Sequence, residues 1–306
     1  MIYHAPERQP DDPVAIDLMH TDRPQVIASH LLLGDSPAIV DPGPASTIPA
    51  LEAGLAEVGL NLGAVQVILL THIHLDHAGA TGTLVARFPH MRVYVHRRGS
   101  RHLFDPSKLI HSATRLYGDA MERLWGEIRP VPADHVTLLD GGETFAVGRR
   151  TIRAYDTPGH AHHHLLYFDE TSRGAFVGDT VGVRMPGSRY IRPATPPPDI
   201  DMVAWDQSLD LIKQLDPRIL LLTHFGPVYA TADHLARYQP ILHRWSEQVR
   251  RGLASGADEP TQIAELQTLA DADYREFVEQ WQYEQTSPVN ANWHGLARYW
   301  RKQLAH

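Results

Sequence analysis

The stretch VILLTHIHLDHAG, Val67 to Gly79, is an apolar run that empties into a polar loop. Val67 to Leu70 reads as a buried strand. The loop beyond it holds His72, His74, Asp76 and His77. Neutral imidazoles and ionised carboxylates are good ligands for a borderline divalent metal such as zinc. His72 and His74, two apart in an extended segment, point the same way. Asp76 and His77 follow after the chain has turned. That spacing suits two adjacent metal positions rather than one. Histidine is plentiful, at 20 of 306 residues, so a solvated histidine loop would by itself be unexceptional. The rest of the chain decides the matter.

Three further candidates stand at strand ends downstream. TPGHAHHH, Thr157 to His164, follows the strand-like RTIRAYD, Arg150 to Asp156, and Pro158-Gly159 presents His160 at a turn. In AFVGDTVG, Ala175 to Gly182, Gly178 ends a short apolar strand and offers Asp179 at its tip. In PRILLLTHFGP, Pro217 to Pro227, His224 stands just past the buried strand Ile219 to Leu222. Singly, each is an ordinary turn or capping residue. Their joint occurrence, in this order, is not.

The order His72-x-His74-x-Asp76-His77, then His160, then Asp179, then His224 resembles the metallo-β-lactamase fold superfamily, and within it the glyoxalase II-like and lactonase-like branch. The resemblance runs from about Val14 to about Tyr229. It implies an α/β (α+β) fold, a four-layer αββα sandwich with these residues on loops at one rim. It implies two divalent ions, zinc first, with iron or manganese also compatible with nitrogen and oxygen donors. His72, His74 and His160 would hold one ion; Asp76, His77 and His224 the other; Asp179 would bridge them. Asp41, in IVDPG, matches an aspartate that supports the histidine loop from behind. His164 matches the second histidine of TPGHxxGH, although His163 here replaces the glycine before it. Gly182 is another departure: some lactonase relatives place a tyrosine three residues after the bridging aspartate. Tyr190 and Tyr229 are the candidates to replace it.

Composition narrows the class. Apolar content of 43% and charge of 21% are those of a globular protein. Cysteine is absent, which excludes disulfides and thiolate ligands. The formal net charge of −8 disfavours broad nucleic-acid binding. No run of 18 apolar residues suggests a membrane span, and the polar, proline-rich opening lacks the core of a secretory signal, so a cytoplasmic location is expected. Arg184, Arg189 and Arg192 lie on the long Gly182–Asp199 loop directly after Asp179. Arg189 and Arg192 are read as facing an anionic part of the substrate.

Strands are expected over Val14–His20, Val26–Gly34, Pro37–Asp41, Val65–Leu70 and Arg92–Arg97, with helices over Thr47–Val58 and Ala78–Phe88. Residues 99–130 read as a helical insertion with Met121, Leu124, Trp125 and Ile128 on one face, placed to act as lid or wall. The strand pattern resumes at Val136–Leu139, Thr144–Val147, Arg150–Asp156, His163–Asp169 and Ala175–Val177. A helix over Met202–Leu215 leads to Ile219–Leu222. Residues 1–230 are thus assigned to the sandwich. Residues 231–306 form a helical extension in which Ile263, Leu266, Ala270, Tyr274, Phe277, Val278 and Trp281 keep a helical period. Trp293, Leu296, Tyr299 and Trp300 are expected to pack on the sandwich or to join a second subunit in a homodimer.

Two divalent ions about 3.5–4 Å apart share and acidify one water and polarise a carbonyl. Asp76 has a carboxylate oxygen to spare for orienting that water or returning its proton. The expected activity is dinuclear metal-dependent hydrolysis of an ester, thioester or lactone bond of a small molecule through a metal-bridging hydroxide. The alternatives are a small-molecule phosphodiesterase on the same two metals, or a diiron redox or sensor protein.

Overall fold

Strands Ala38–Val40, Val67–Leu69, Leu165–Asp169 and Ile219–Leu222 are buried along their whole length, and alternate residues enter different cores. Leu69 and Val40 face one layer while Ile68 and Ile39 face another. Leu221 and Tyr167 face the first layer while Leu220 and Leu166 face a third. A strand covered on both sides reads as a continuous apolar run, which is how these segments look in the sequence.

The computed structural model describes residues 1–274 and 280–305, the side chains of Gln280 and Trp281 excepted. In chain order its elements are β1 (Ile2–Tyr3), β2 (Val14–Asp17), β3 (Ala28–Leu32), β4 (Ala38–Val40), α1 (Ile48–Glu57), β5 (Val67–Leu69), α2 (Leu75–Ala78), α3 (Thr81–Arg87), β6 (Arg92–His96), α4 (Arg97–Phe104), α5 (Ser107–Tyr117), α6 (Met121–Trp125) and β7 (Val136–Leu139). There follow β8 (Thr144–Val147), β9 (Arg150–Asp156), β10 (Leu165–Asp169), β11 (Gly174–Gly178), α7 (Met202–Leu215), β12 (Ile219–Leu222), β13 (Gly226–Val228), α8 (Thr231–Ser255), α9 (Glu259–Tyr274), α10 (Gln280–Thr286) and α11 (Val289–Leu304).

Strands β1 to β7 form one sheet in sequence order, and β13-β12-β11-β10-β9-β8 form the other. Leu32, Val40, Leu69, Tyr167, Phe176 and Leu221 fill the space between the sheets. Helices α1 and α3 cover the outer face of the first sheet through Leu51, Leu55, Leu84 and Val85. Helices α7, α8, α9 and α11 cover the second through Trp205, Leu209, Trp245, Leu266 and Trp293. The fold is the αββα sandwich.

The parallel pairings place the site. β4 and β5 run parallel, as do β11 and β12, and β9 is antiparallel to β10, which is antiparallel to β11. The carboxyl ends of β4, β5, β9, β11 and β12 therefore lie at one rim, in the manner of ligand sites at strand ends. The two sheets are stitched there: Leu165 N–H donates to Thr71 O (2.7 Å) and Ala28 N–H to Thr223 O (2.8 Å).

The expected Ala78–Phe88 helix is two helices, α2 and α3. Ala80 N–H turns to Gly43 O, which interrupts the ladder between them. Trp293, Leu296 and Tyr299 are buried against the sandwich within the chain, with Trp300 packed beside them. Ile263, Leu266 and Ala270 lie on α9 as their period suggests, whereas Phe277, Val278 and the side chain of Trp281 lie outside the described residues.

Candidate metal centre

Each candidate ligand stands within a few residues of a strand end, and buried neighbours fix its orientation. Asp41 follows β4 in a left-handed conformation (φ 52°) that turns its carboxylate toward β5. Its Oδ1 accepts from Thr71 N–H (2.8 Å). Its Oδ2 accepts from Thr71 Oγ1 (2.7 Å), His77 Nδ1 (2.8 Å) and Thr223 Oγ1 (2.9 Å). Thr71 Oγ1 donates its hydrogen bond to Asp41, so its lone pairs accept from His72 Nδ1 (3.1 Å). Nδ1 of His160 donates to Ala194 O (2.8 Å) and Nδ1 of His224 to Val26 O (2.7 Å). Bonds of this kind set the tautomer of a ligating imidazole. In His72, His77, His160 and His224 they leave Nε2 for the centre.

Two groups result. His72, His74, His160 and Asp179 form one; Asp76, His77 and His224 form the other. His74 Nδ1 lies 2.9 Å from His72 Nε2 and 3.1 Å from His160 Nε2. Three ring nitrogens thus converge on one point, the arrangement a divalent cation takes among imidazole ligands. Asp179 spans the groups. Its Oδ2 is 3.3 Å from His160 Nε2, while its Oδ1 is 3.4 Å from His77 Nε2 and 3.6 Å from His224 Nε2. Asp76 Oδ2 is 3.2 Å from His224 Nε2.

His77 Nε2 and Asp179 Oδ1 are sealed from solvent without a hydrogen-bond partner. Buried polar atoms are normally satisfied, and a place for an ion is a standard reason when no protein group satisfies them. The charges point the same way. Burial opposes a proton on His77, but Asp179, Asp41 and Asp76 outweigh it and hold its pKa well above the ordinary imidazole value. Burial likewise opposes ionisation of Asp179, yet His77, His224 and His160 keep its pKa well below the usual carboxylate range. Burial and the neighbouring His160 push His74 down to about 3. Two carboxylates and five imidazoles thus converge on one space, with the Asp41 carboxylate behind His77, and divalent cations fit that donor set.

Gly178 makes the placement of Asp179 possible. It is left-handed (φ 46°), and a Cβ there would meet His164 Nε2 at 2.5 Å and Thr71 Oγ1 at 2.7 Å. His164 lies in neither ligand group. Its Nδ1 meets Thr157 Oγ1 (2.9 Å) and Thr180 Oγ1 (3.2 Å), and its ring stacks 5.1 Å from that of His72. His163 packs beside it against Gly99 of α4, with Nδ1 buried and unpartnered.

Of the residues read as substrate contacts, Arg189 is exposed on its loop, and the other three are engaged away from the ligand groups. Arg192 is fully buried, and its guanidinium is committed to Glu284 (2.5 Å) and to the rings of Tyr190 and Tyr283. Tyr190 is buried in the same cluster, its carbonyl accepting from Tyr283 Oη (3.0 Å). These two residues anchor the loop after Asp179 to the C-terminal helices. Tyr229 donates to Asp12 at the far end of β13, away from the rim. The departure at Gly182 has a steric cause: a Cβ there would lie 2.5 Å from Cε2 of Tyr238, reaching across from α8. Tyr238, Thr71 and Thr223 are the site residues missed in the sequence. The threonines left a signal, since each immediately precedes a candidate ligand.

The sequence pattern of the metallo-β-lactamase superfamily matches residues 23–224. The chain belongs to that superfamily. Its fold is shared by the metallo-β-lactamase family protein TTHA1429 of Thermus thermophilus, with a TM-score of 0.68 at 22% identity over 100% of this chain and 94% of that one. It is 31% identical over 170 residues to the metallo-β-lactamase fold-containing protein ST1585 of Sulfurisphaera tokodaii, which covers 55% of this chain and 63% of the relative. It is 33% identical over 143 residues to a hydroxyacylglutathione hydrolase of Aeromonas hydrophila, covering 47% of this chain and 41% of the relative. The chain thus spans less than two thirds of either curated relative. The superfamily assignment supports metal-dependent hydrolysis, and the last similarity supports the glyoxalase II-like branch. Among the described residues no helix is long and apolar enough to cross a membrane.

Proposed function

We infer that this chain is a dinuclear metal-dependent hydrolase cleaving an ester, thioester or lactone bond of a small molecule. Asp179 carries the reading: one carboxylate oxygen addresses each ligand group, so a single side chain is placed to join two cations. When bound, two such ions acidify a water they share and take up charge developing on a carbonyl oxygen. The donor set is nitrogen and oxygen throughout, which suits zinc and admits manganese or iron.

The protein side chains do the rest. His72, His74 and His160 would hold one ion, and Asp76, His77 and His224 the other. Asp41 and the carbonyls of Ala194 and Val26 hold the rings. Asp76 is the most open of the carboxylates, its side chain 25% exposed against 7% for Asp179. It has an oxygen free to accept a proton and hand it to the leaving group. The similarity to hydroxyacylglutathione hydrolase supports thioesters as the first bond to try.

The test is a panel of thioesters, lactones, carboxyl esters and chromogenic phosphodiesters, assayed on zinc-loaded protein and on His72→Ala and Asp179→Ala variants. Turnover of a carbonyl substrate, lost together with bound metal in both variants, is expected. Turnover confined to phosphodiesters, or carbonyl hydrolysis that survives exhaustive chelation, would overturn the assignment.

A further inference from the structure

Solvent reaches the candidate centre along one short stretch. His72, His77, His160 and His224 are buried, whereas His74 and Asp76 are partly open. Leu75, between those two, is covered by Trp125 and Ala113 of the α4–α6 insertion. Whatever approaches the centre therefore passes the edge of that insertion.

The edge is aromatic. Tyr117, the last residue of α5, is 41% exposed and meets Trp125 edge-on, with ring centroids 5.1 Å apart. Trp125 in turn stacks on His20 at 5.6 Å and 22°. His20 is fixed by a bond from Nε2 to Leu124 O (2.9 Å). The row borders the ligand loop through Trp125, which packs with Leu75, the residue between His74 and Asp76. Trp125 Nε1 is buried without a partner. Leu116, beside Tyr117 in sequence, is 74% exposed. Such a wall receives a ring or an apolar chain better than an anion.

We propose that Tyr117, Trp125 and His20 form a wall that receives an aryl group of the substrate, with Tyr117 setting the preference. The proposal rests on the hydrolase reading and names the substrate class for it. An aryl group would extend the row by edge-to-face or offset stacking on Tyr117.

Two pairs of thioesters test this, one pair differing by a phenyl ring in the acyl part and the other by a phenyl ring in the thiol. They are assayed on zinc-loaded wild type, Tyr117→Ala and Tyr117→Phe. In at least one pair the wild type favours the aryl member. Tyr117→Ala loses about tenfold of that selectivity, chiefly through KM of the aryl member, with metal content unchanged, and Tyr117→Phe retains it. Selectivity equal in wild type and Tyr117→Ala for both pairs would overturn the wall. Calorimetric binding of 4-phenylbutyrate against acetate separates this from failure of the hydrolase reading. If no thioester is cleaved, a phenylbutyrate preference abolished in Tyr117→Ala still supports the wall, and equal affinity refutes it.

Discussion

Asp41 shows what a single buried side chain does for a metal centre it never touches. Its two oxygens accept four bonds from Thr71, His77 and Thr223, tying the ends of β4, β5 and β12 together. Replacing one oxygen by an amide removes an acceptor for the His77 ring. Asp41→Asn should weaken metal affinity about 10–100-fold with the fold retained, the usual cost of losing such an orienting partner. Competition against a chromogenic chelator, alongside circular dichroism, measures it; unchanged affinity would show that His77 needs no support. The seven ligands were legible because their types are chemically distinctive and each sits near a strand end. Thr71, Thr223 and Tyr238 were not, because their roles depend on which strand ends and helices become neighbours. Arg192 and Tyr190 misled for the same reason. A charged residue next to the site in sequence is spent on Glu284 and Tyr283, about ninety residues away.

At the scale of elements, the apolar pattern gave strand β12 and helix α7 to the residue. The short edge strands β1 and β13 were not visible, since two or three residues carry no period. Helix α8 was expected as part of a helical extension packed on the sandwich, but which of its residues reach the site was not. His234 in its first turns is fully buried and donates from Nε2 to Val181 O (2.9 Å), just past Asp179. Burial pushes its pKa down to about 4. The unfolded chain, titrating near 6.5, binds more protons than the folded one between these values, so stability falls as pH drops through that window. The whole effect is about 3 kcal/mol, of which about 2 kcal/mol is lost between pH 7 and pH 5. Denaturant unfolding of metal-loaded protein at those two pH values should show His234→Gln losing less than wild type by that amount. Identical losses would place the acid sensitivity elsewhere.

In the whole molecule, the sandwich brings five strand ends to one rim, and the later parts of the chain build around it. The insertion covers Leu75 between two ligands. The C-terminal helices hold the loop after Asp179: Tyr283 Oη accepts from Met185 N–H (3.1 Å), and Asn292 Oδ1 accepts from Thr195 Oγ1 (2.9 Å). The sandwich was legible from the ligand order and the strand pattern. The insertion was read as a lid or wall, but the part His20 plays beside Trp125 was not, because the two segments lie about a hundred residues apart. The central claim is that one chain holds two cations joined by Asp179, and elemental analysis of zinc-loaded, chelator-washed protein tests it most directly. The expected result is two ions per chain in the wild type, with metal and activity falling together in Asp179→Ala. One ion per chain in fully active protein, or two ions retained unchanged without Asp179, would contradict it.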